Sequence, residues 1–97
     1  MAEVLLIVDD DVDTLRLVGL MLQRQGYTIL TANNGQQAIN MTLDEQPDLI
    51  LLDIMMPGLD GYDVTRHLRN DPRTADIPII MFTAKTQLYD KVTVFEA

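Results

Sequence analysis

The chain has no cysteine, a single histidine and only 5% aromatic residues among its 97 positions. Without thiols it can build neither a disulfide framework nor a thiolate metal site, which is compatible with a reducing cytoplasm. Basic charge is also scarce: seven Lys and Arg stand against fifteen Asp and Glu, for a net charge of −8. Phosphate backbones are held by clusters of Lys and Arg, so no direct nucleic-acid contact is expected. Such acidity suits a protein that meets cations or basic partner patches. No apolar run approaches the roughly 18 residues of a membrane span, and the Met-Ala-Glu start does not resemble a signal peptide. A cytoplasmic location with no membrane contact is therefore expected. Internal repeats, low-complexity stretches and a G-x-x-x-x-G-K-[ST] nucleotide loop are absent too. The one histidine, His67, lies between Arg66 and Arg69 and reads as a solvated surface residue.

What is present is a 47% hydrophobic content in a length that suits one compact domain, residues 1–97. Short apolar runs alternate with longer stretches of helical period. Val4 to Val8 is continuously apolar and branched, as expected of a strand covered on both faces. Leu15, Val18, Gly19 and Leu22 share one helical face, with Asp11 as N-cap and Gly26 as the stop. Tyr27 to Ala32 reads as a second strand. A second helix follows from Gln36, with Ala38, Ile39, Thr42 and Leu43 inward and Pro47 at its end. Asp48 to Asp53 is a third strand and Tyr62 to about Asn70 a third helix. Ile77 to Ala84 is a fourth strand, and Leu88, Val92 and Phe95 recur at helical spacing beyond it. This alternation implies an α/β fold, a doubly wound parallel sheet with helices on both faces.

In such sheets, sites form outside the carboxyl ends of the strands. Asp9 and Asp10 end strand one, Asp53 ends strand three and Thr83 ends strand four. Two carboxylates about 4 Å apart repel by ~4 kcal/mol at an effective dielectric near 20. If strands one and three are neighbours, three carboxylates converge, and together they need a cation or a proton between them. With no His or Cys in the set, a hard ion such as Mg²⁺ fits, and one carboxylate is left able to attack a phosphoryl group.

"LLIVDDD", "LLDIMMPGLDG" and "PIIMFTAK" resemble the three signature segments of response-regulator receiver domains, in register from Val4 to Ala97. The resemblance implies a flavodoxin-like sheet of order 2-1-3-4-5 and a phosphoacceptor for a histidine kinase or phosphotransfer protein. It implies that Asp53 takes the phosphoryl group, that Asp10 ligates Mg²⁺ directly and that Asp9 holds metal-bound water. The Met55 backbone carbonyl is the implied third protein ligand, Thr83 the hydroxyl that moves onto the phosphoryl oxygens, and Lys85 a position that tunes dephosphorylation. The resemblance further implies signalling to an effector or partner protein, and a domain that is not a turnover enzyme.

The family's fifth strand and helix, with their aromatic switch residue and Lys-Pro, have no counterpart before Ala97. The expectation is therefore a sheet of order 2-1-3-4 with the fifth strand absent. Strand four would be an open edge, pointing to a truncation or to self-association through that edge. Two rival readings stand beside the receiver. A phosphohydrolase with an aspartyl-phosphate step wants a second acid two residues after its nucleophile, where this chain has Met55. An interaction module would bind metal or partners without switching.

Overall fold

The computed structural model describes residues 2–83 and 93–96. Its elements in chain order are β1 (Val4–Val8), α1 (Val12–Arg24), β2 (Thr28–Ala32), α2 (Gly35–Glu45), β3 (Leu49–Asp53), α3 (Gly61–Arg69), β4 (Ile79–Thr83) and β5 (Thr93–Glu96). The first four strands are parallel in the order β2-β1-β3-β4. Every strand of that set was legible from its apolar run; β1 begins where expected, and the starts of β2, β3 and β4 are shifted by a residue or two.

Strand alternation explains the layers. Leu6 and Val8 of β1, Ile50 and Leu52 of β3, and Ile79 and Met81 of β4 project to one face. There they meet Ala38 of α2 and Val64 and Leu68 of α3 in one buried cluster. Leu5 and Ile7 point the other way and are equally buried. On that side α1 lies over β2, where Leu15 and Gly19 line a groove with Ile29 and Thr31. Both faces of β1 are therefore covered, which is why its sequence is continuously apolar.

The helix ends follow their side chains. Asp11 caps α1, accepting from the backbone N–H of Asp13 at 3.0 Å and of Thr14 at 3.4 Å. Past Gln25 the chain turns at Gly26, whose φ of 99° suits a residue without a side chain. Helix α2 stops at Glu45, two residues before the expected Pro47. Gln46 takes up a left-handed conformation with φ 48°, and its N–H donates to the Thr42 carbonyl at 3.0 Å.

The far edge of the sheet departs from expectation. Strand β4 is not an open edge, and a fifth strand is not absent: β5 pairs with β4 in antiparallel register, Ile80 with Glu96 through Thr83 with Thr93. Phe95, assigned to a helical period from its spacing, lies in this strand. Unpaired N–H and C=O groups along an apolar edge are costly, and satisfying them outweighs a weak local helical period. Direction follows from chain length. A parallel return needs a crossover of about a dozen residues or more, whereas residues 84–92 suffice for an antiparallel one. Self-association through an exposed β4 edge thereby loses its premise. Lys85, Leu88 and Val92 lie outside the described residues.

Candidate metal and phosphoacceptor site

Register brings the carboxylates together. Val8 pairs with Leu52, so the next residues, Asp9 and Asp53, emerge side by side where β1 and β3 end. One carboxylate oxygen each from Asp9, Asp10 and Asp53 lies within 4.8 Å of the others. Asp9 and Asp53 are buried, while Asp10 is more open to solvent. The tight local turns hold the pair. Asp9 Oδ1 accepts the Asp11 N–H at 2.9 Å, and Asp53 Oδ1 accepts the Met55 N–H at 3.1 Å. The second of these turns the Met55 backbone in beside the cluster.

Burial pushes the Asp53 carboxyl up from 3.8 to about 7. The charge of Asp9 and a hydrogen bond with it add to the rise, and the Met55 N–H partly offsets it. A carboxyl raised this far is poised near neutral pH between its charged and neutral forms, and a cation beside it would favour the charged form.

Thr83 ends β4, one residue beyond Phe82, which pairs with Asp53. Its Oγ1 is buried and, among the described residues, makes no hydrogen bond. A buried hydroxyl left in that state loses its solvation with nothing in return, unless an oxygen of a bound group takes its place beside it. The donor set fits a hard divalent ion: all oxygen, anionic, and free of nitrogen or sulfur.

A cleft of about 470 Å³ opens next to the cluster, lined by Asp10, Ile54, Met55, Met56, Pro57 and Asp60. His67 is exposed on α3 and lines a separate cleft with Asp63 and Arg66, as a surface histidine should.

Two features of the loop after β3 were not anticipated from the sequence. Asp60 is the N-cap of α3 in a reciprocal capping box. Its carboxylate accepts the Asp63 N–H at 2.9 Å, and the Asp63 carboxylate accepts the Asp60 N–H at 3.1 Å. The signal was the D-x-x-D spacing before an apolar-periodic run. Gly61 also touches the backbone of Asp53, and no local signal marks such a contact.

Comparison with known proteins agrees with this geometry. The profile of the response regulator receiver domain matches residues 5–97. The chain is 43% identical over 93 residues to the DNA-binding dual master transcriptional regulator RpaA of Synechocystis, covering 96% of this chain and 39% of that protein. It thus spans about two fifths of the length of that relative. The N-terminal domain of a response regulator receiver protein from Methanoculleus marisnigri superposes with a TM-score of 0.84 at 39% identity, covering 88% of this chain and 69% of that one. The receiver domain of the sensor histidine kinase PA1611 from Pseudomonas aeruginosa has a TM-score of 0.82 at 31% identity, covering 93% and 74%. That structure holds a magnesium ion coordinated in its active site cleft. The sheet order, the carboxylates gathered at its carboxyl edge and a profile match over nearly all of its length place this chain in the response regulator receiver domain family.

Proposed function

We propose that residues 1–97 act as one phosphoacceptor signalling domain, in which Asp53 takes a phosphoryl group from a histidine kinase or phosphotransfer protein. The observation that carries this reading is the convergence of Asp9, Asp10 and Asp53 at the ends of two adjacent strands. Mg²⁺, when bound, supplies the positive charge that holds the phosphoryl oxygens and offsets the charge that develops on them. Asp10 and Asp53 would hold the ion directly, Asp9 would hold it through water, and the Met55 carbonyl would complete the protein's share. The magnesium in the PA1611 receiver supports the choice of ion.

The chemistry of Asp53 follows from its environment. A carboxyl that titrates near 7 is a poor nucleophile while protonated, and a neighbouring cation favours the charged form. An ionised Asp53 oxygen then attacks phosphorus. A P–O bond forms, the bond from phosphorus to the donor breaks, and the donor's leaving atom keeps the electron pair. The product is an acyl phosphate on Asp53. Its oxygens satisfy the buried Thr83 hydroxyl, which draws the end of β4 toward the site. That movement alters the surface read by an effector or partner protein. Lys85 modulates the lifetime of the acyl phosphate. Turnover hydrolysis is not supported, because the Met55 thioether has no proton to give to a leaving group. With no helix among the described residues able to cross a membrane, a cytoplasmic site of action fits.

The test is intact mass after incubation with acetyl phosphate and Mg²⁺, with Asp53→Asn alongside. One phosphoryl adduct on the parent and none on the variant is expected. No adduct on the parent, with Mg²⁺ still bound, would favour the rival reading of a metal-binding interaction module.

A further inference from the structure

Gly61 is the first residue of α3, and it is buried. A Cβ at this position would lie 2.7 Å from the Asp53 carbonyl oxygen and 2.8 Å from the Ile54 Cα. Non-bonded carbon contacts are comfortable at about 3.5–4.0 Å, and here the obstructing atoms are backbone, which no rotamer change can clear. The Gly61 N–H also donates to the Ile54 carbonyl at 2.9 Å, closing the loop from Ile54 to Asp60 at its base. On its other side, the Ile54 N–H donates to the Phe82 carbonyl of β4 at 2.8 Å. The peptide that follows Asp53 is therefore held between β4 and the first turn of α3. The capping box of Asp60 and Asp63 fixes that turn in place.

From these contacts we infer that Gly61 is a positioning residue for the cation site: its bare backbone lets α3 seat against Asp53 and so fixes both the carboxylate and the Met55 loop. This rests on the reading of the carboxylate cluster as a Mg²⁺ site. The physical argument is one of tolerance. Mg²⁺ requires near-ideal octahedral geometry at about 2.0–2.1 Å, whereas Ca²⁺ accepts irregular oxygen sets at about 2.3–2.6 Å. A methyl group at Gly61 must push Asp53 and Ile54 away from α3 by several tenths of an ångström. That displacement disturbs a side-chain ligand and the loop bearing a carbonyl ligand at the same time, so it penalises the smaller ion more.

Gly35 provides a comparison of the same steric severity, against Leu59 of the same loop and Val64 of α3 but away from the Asp53 backbone. A Cβ there would meet the Leu59 Cβ at 2.6 Å and the Val64 Cγ2 at 2.9 Å, but none of its near contacts is with Asp53. Gly61→Ala, Gly35→Ala and the parent are titrated with Mg²⁺ and separately with Ca²⁺ by calorimetry, below the melting temperature of each. Both variants should melt earlier than the parent. Gly61→Ala should lose about tenfold or more in Mg²⁺ affinity, the scale on which supporting residues of metal sites act. Its Ca²⁺ affinity should fall much less, and Gly35→Ala should keep the parent's preference.

A parent that binds no Mg²⁺ would overturn the cluster reading and this inference with it. Parent-like Mg²⁺ binding by Gly61→Ala, or an equal loss in Gly35→Ala, would overturn the positioning role alone. If Gly61→Ala does not fold, amide hydrogen exchange on the parent decides. Mg²⁺ should slow the Met55 and Gly61 amides together, and slowing at Met55 with no change at Gly61 would overturn the inference.

Discussion

Replacing Asp53 by Asn should stabilise the metal-free fold, and the gain should depend on pH. The folded carboxyl holds its proton up to about 7, against 3.8 when unperturbed. Between these values the folded state keeps a proton that the unfolded chain has released. The stability this group contributes is therefore complete below about pH 3.8 and is lost as pH rises toward 7. A shift of roughly three units corresponds to a ceiling of ~4 kcal/mol at about 1.4 kcal/mol per unit. Although the side chain is fully covered, its cluster opens through Asp10 onto a solvent-exposed cleft, so roughly half of that ceiling, ~2 kcal/mol, is the working figure.

Asn is nearly isosteric with Asp. Its carbonyl oxygen can still accept the Met55 N–H, and its amide can donate toward Asp9 where the parent sets two acids together. For a domain of this size ~2 kcal/mol is roughly a 10 °C rise in melting temperature. Thermal unfolding followed by circular dichroism in EDTA, from pH 4.5 to pH 8, measures it. The variant should melt only slightly above the parent at pH 4.5 and well above it at pH 8. Mg²⁺ at a hundred times its dissociation constant should stabilise the parent by about 2.7 kcal/mol, which exceeds the ~2 kcal/mol advantage of the variant, so the gap at pH 8 should close. An equal gain at both pH values, or a variant less stable than the parent at pH 8 in EDTA, would refute the assignment of the penalty to an ionised, buried Asp53.

Two further changes separate stability from function. Thr83→Ala removes a buried hydroxyl that makes no hydrogen bond among the described residues, offsetting most of the ~1 kcal/mol lost with its methyl group. Its melting temperature should stay within about 5 °C of the parent while its yield of phosphoryl adduct at a fixed time falls, and a large drop in melting temperature would show that the hydroxyl has a structural partner. Gln46→Gly relieves a left-handed residue at the end of α2, worth about 1 kcal/mol, at the loss of long side-chain contacts to the Thr42 and Leu43 carbonyls at 3.3 and 3.4 Å. Denaturant unfolding should show a gain of roughly 0.5–1 kcal/mol, and a net loss would mean that those contacts matter more than the backbone strain.

The amino-acid sequence alone determined the parallel core and its order of elements. β1 and β3 are apolar without interruption, the helices carry one apolar stripe each, and Asp11 and Gly26 mark where α1 begins and ends. These are local signals, because the period of an element is set by its own backbone geometry. The site was legible for a related reason. Parallel strands that end on carboxylates present them along one edge of the sheet, and the strand order implied by the family resemblance makes β1 and β3 neighbours, so Asp9, Asp10 and Asp53 could be joined before any distance was known.

The tertiary structure decided what depends on partners distant in the chain. The segment holding Phe95 has helical spacing, yet it forms β5 because the edge of β4 offers it hydrogen bonds that a local period cannot weigh. Asp53 rises to about 7 because the fold buries it next to Asp9, 44 positions away in the sequence. Gly61 looks like any turn glycine until α3 is seen against the Asp53 carbonyl. Local periodicity marks the elements of the parallel core, whereas burial, edge pairing and backbone contact exist only once those elements are packed together.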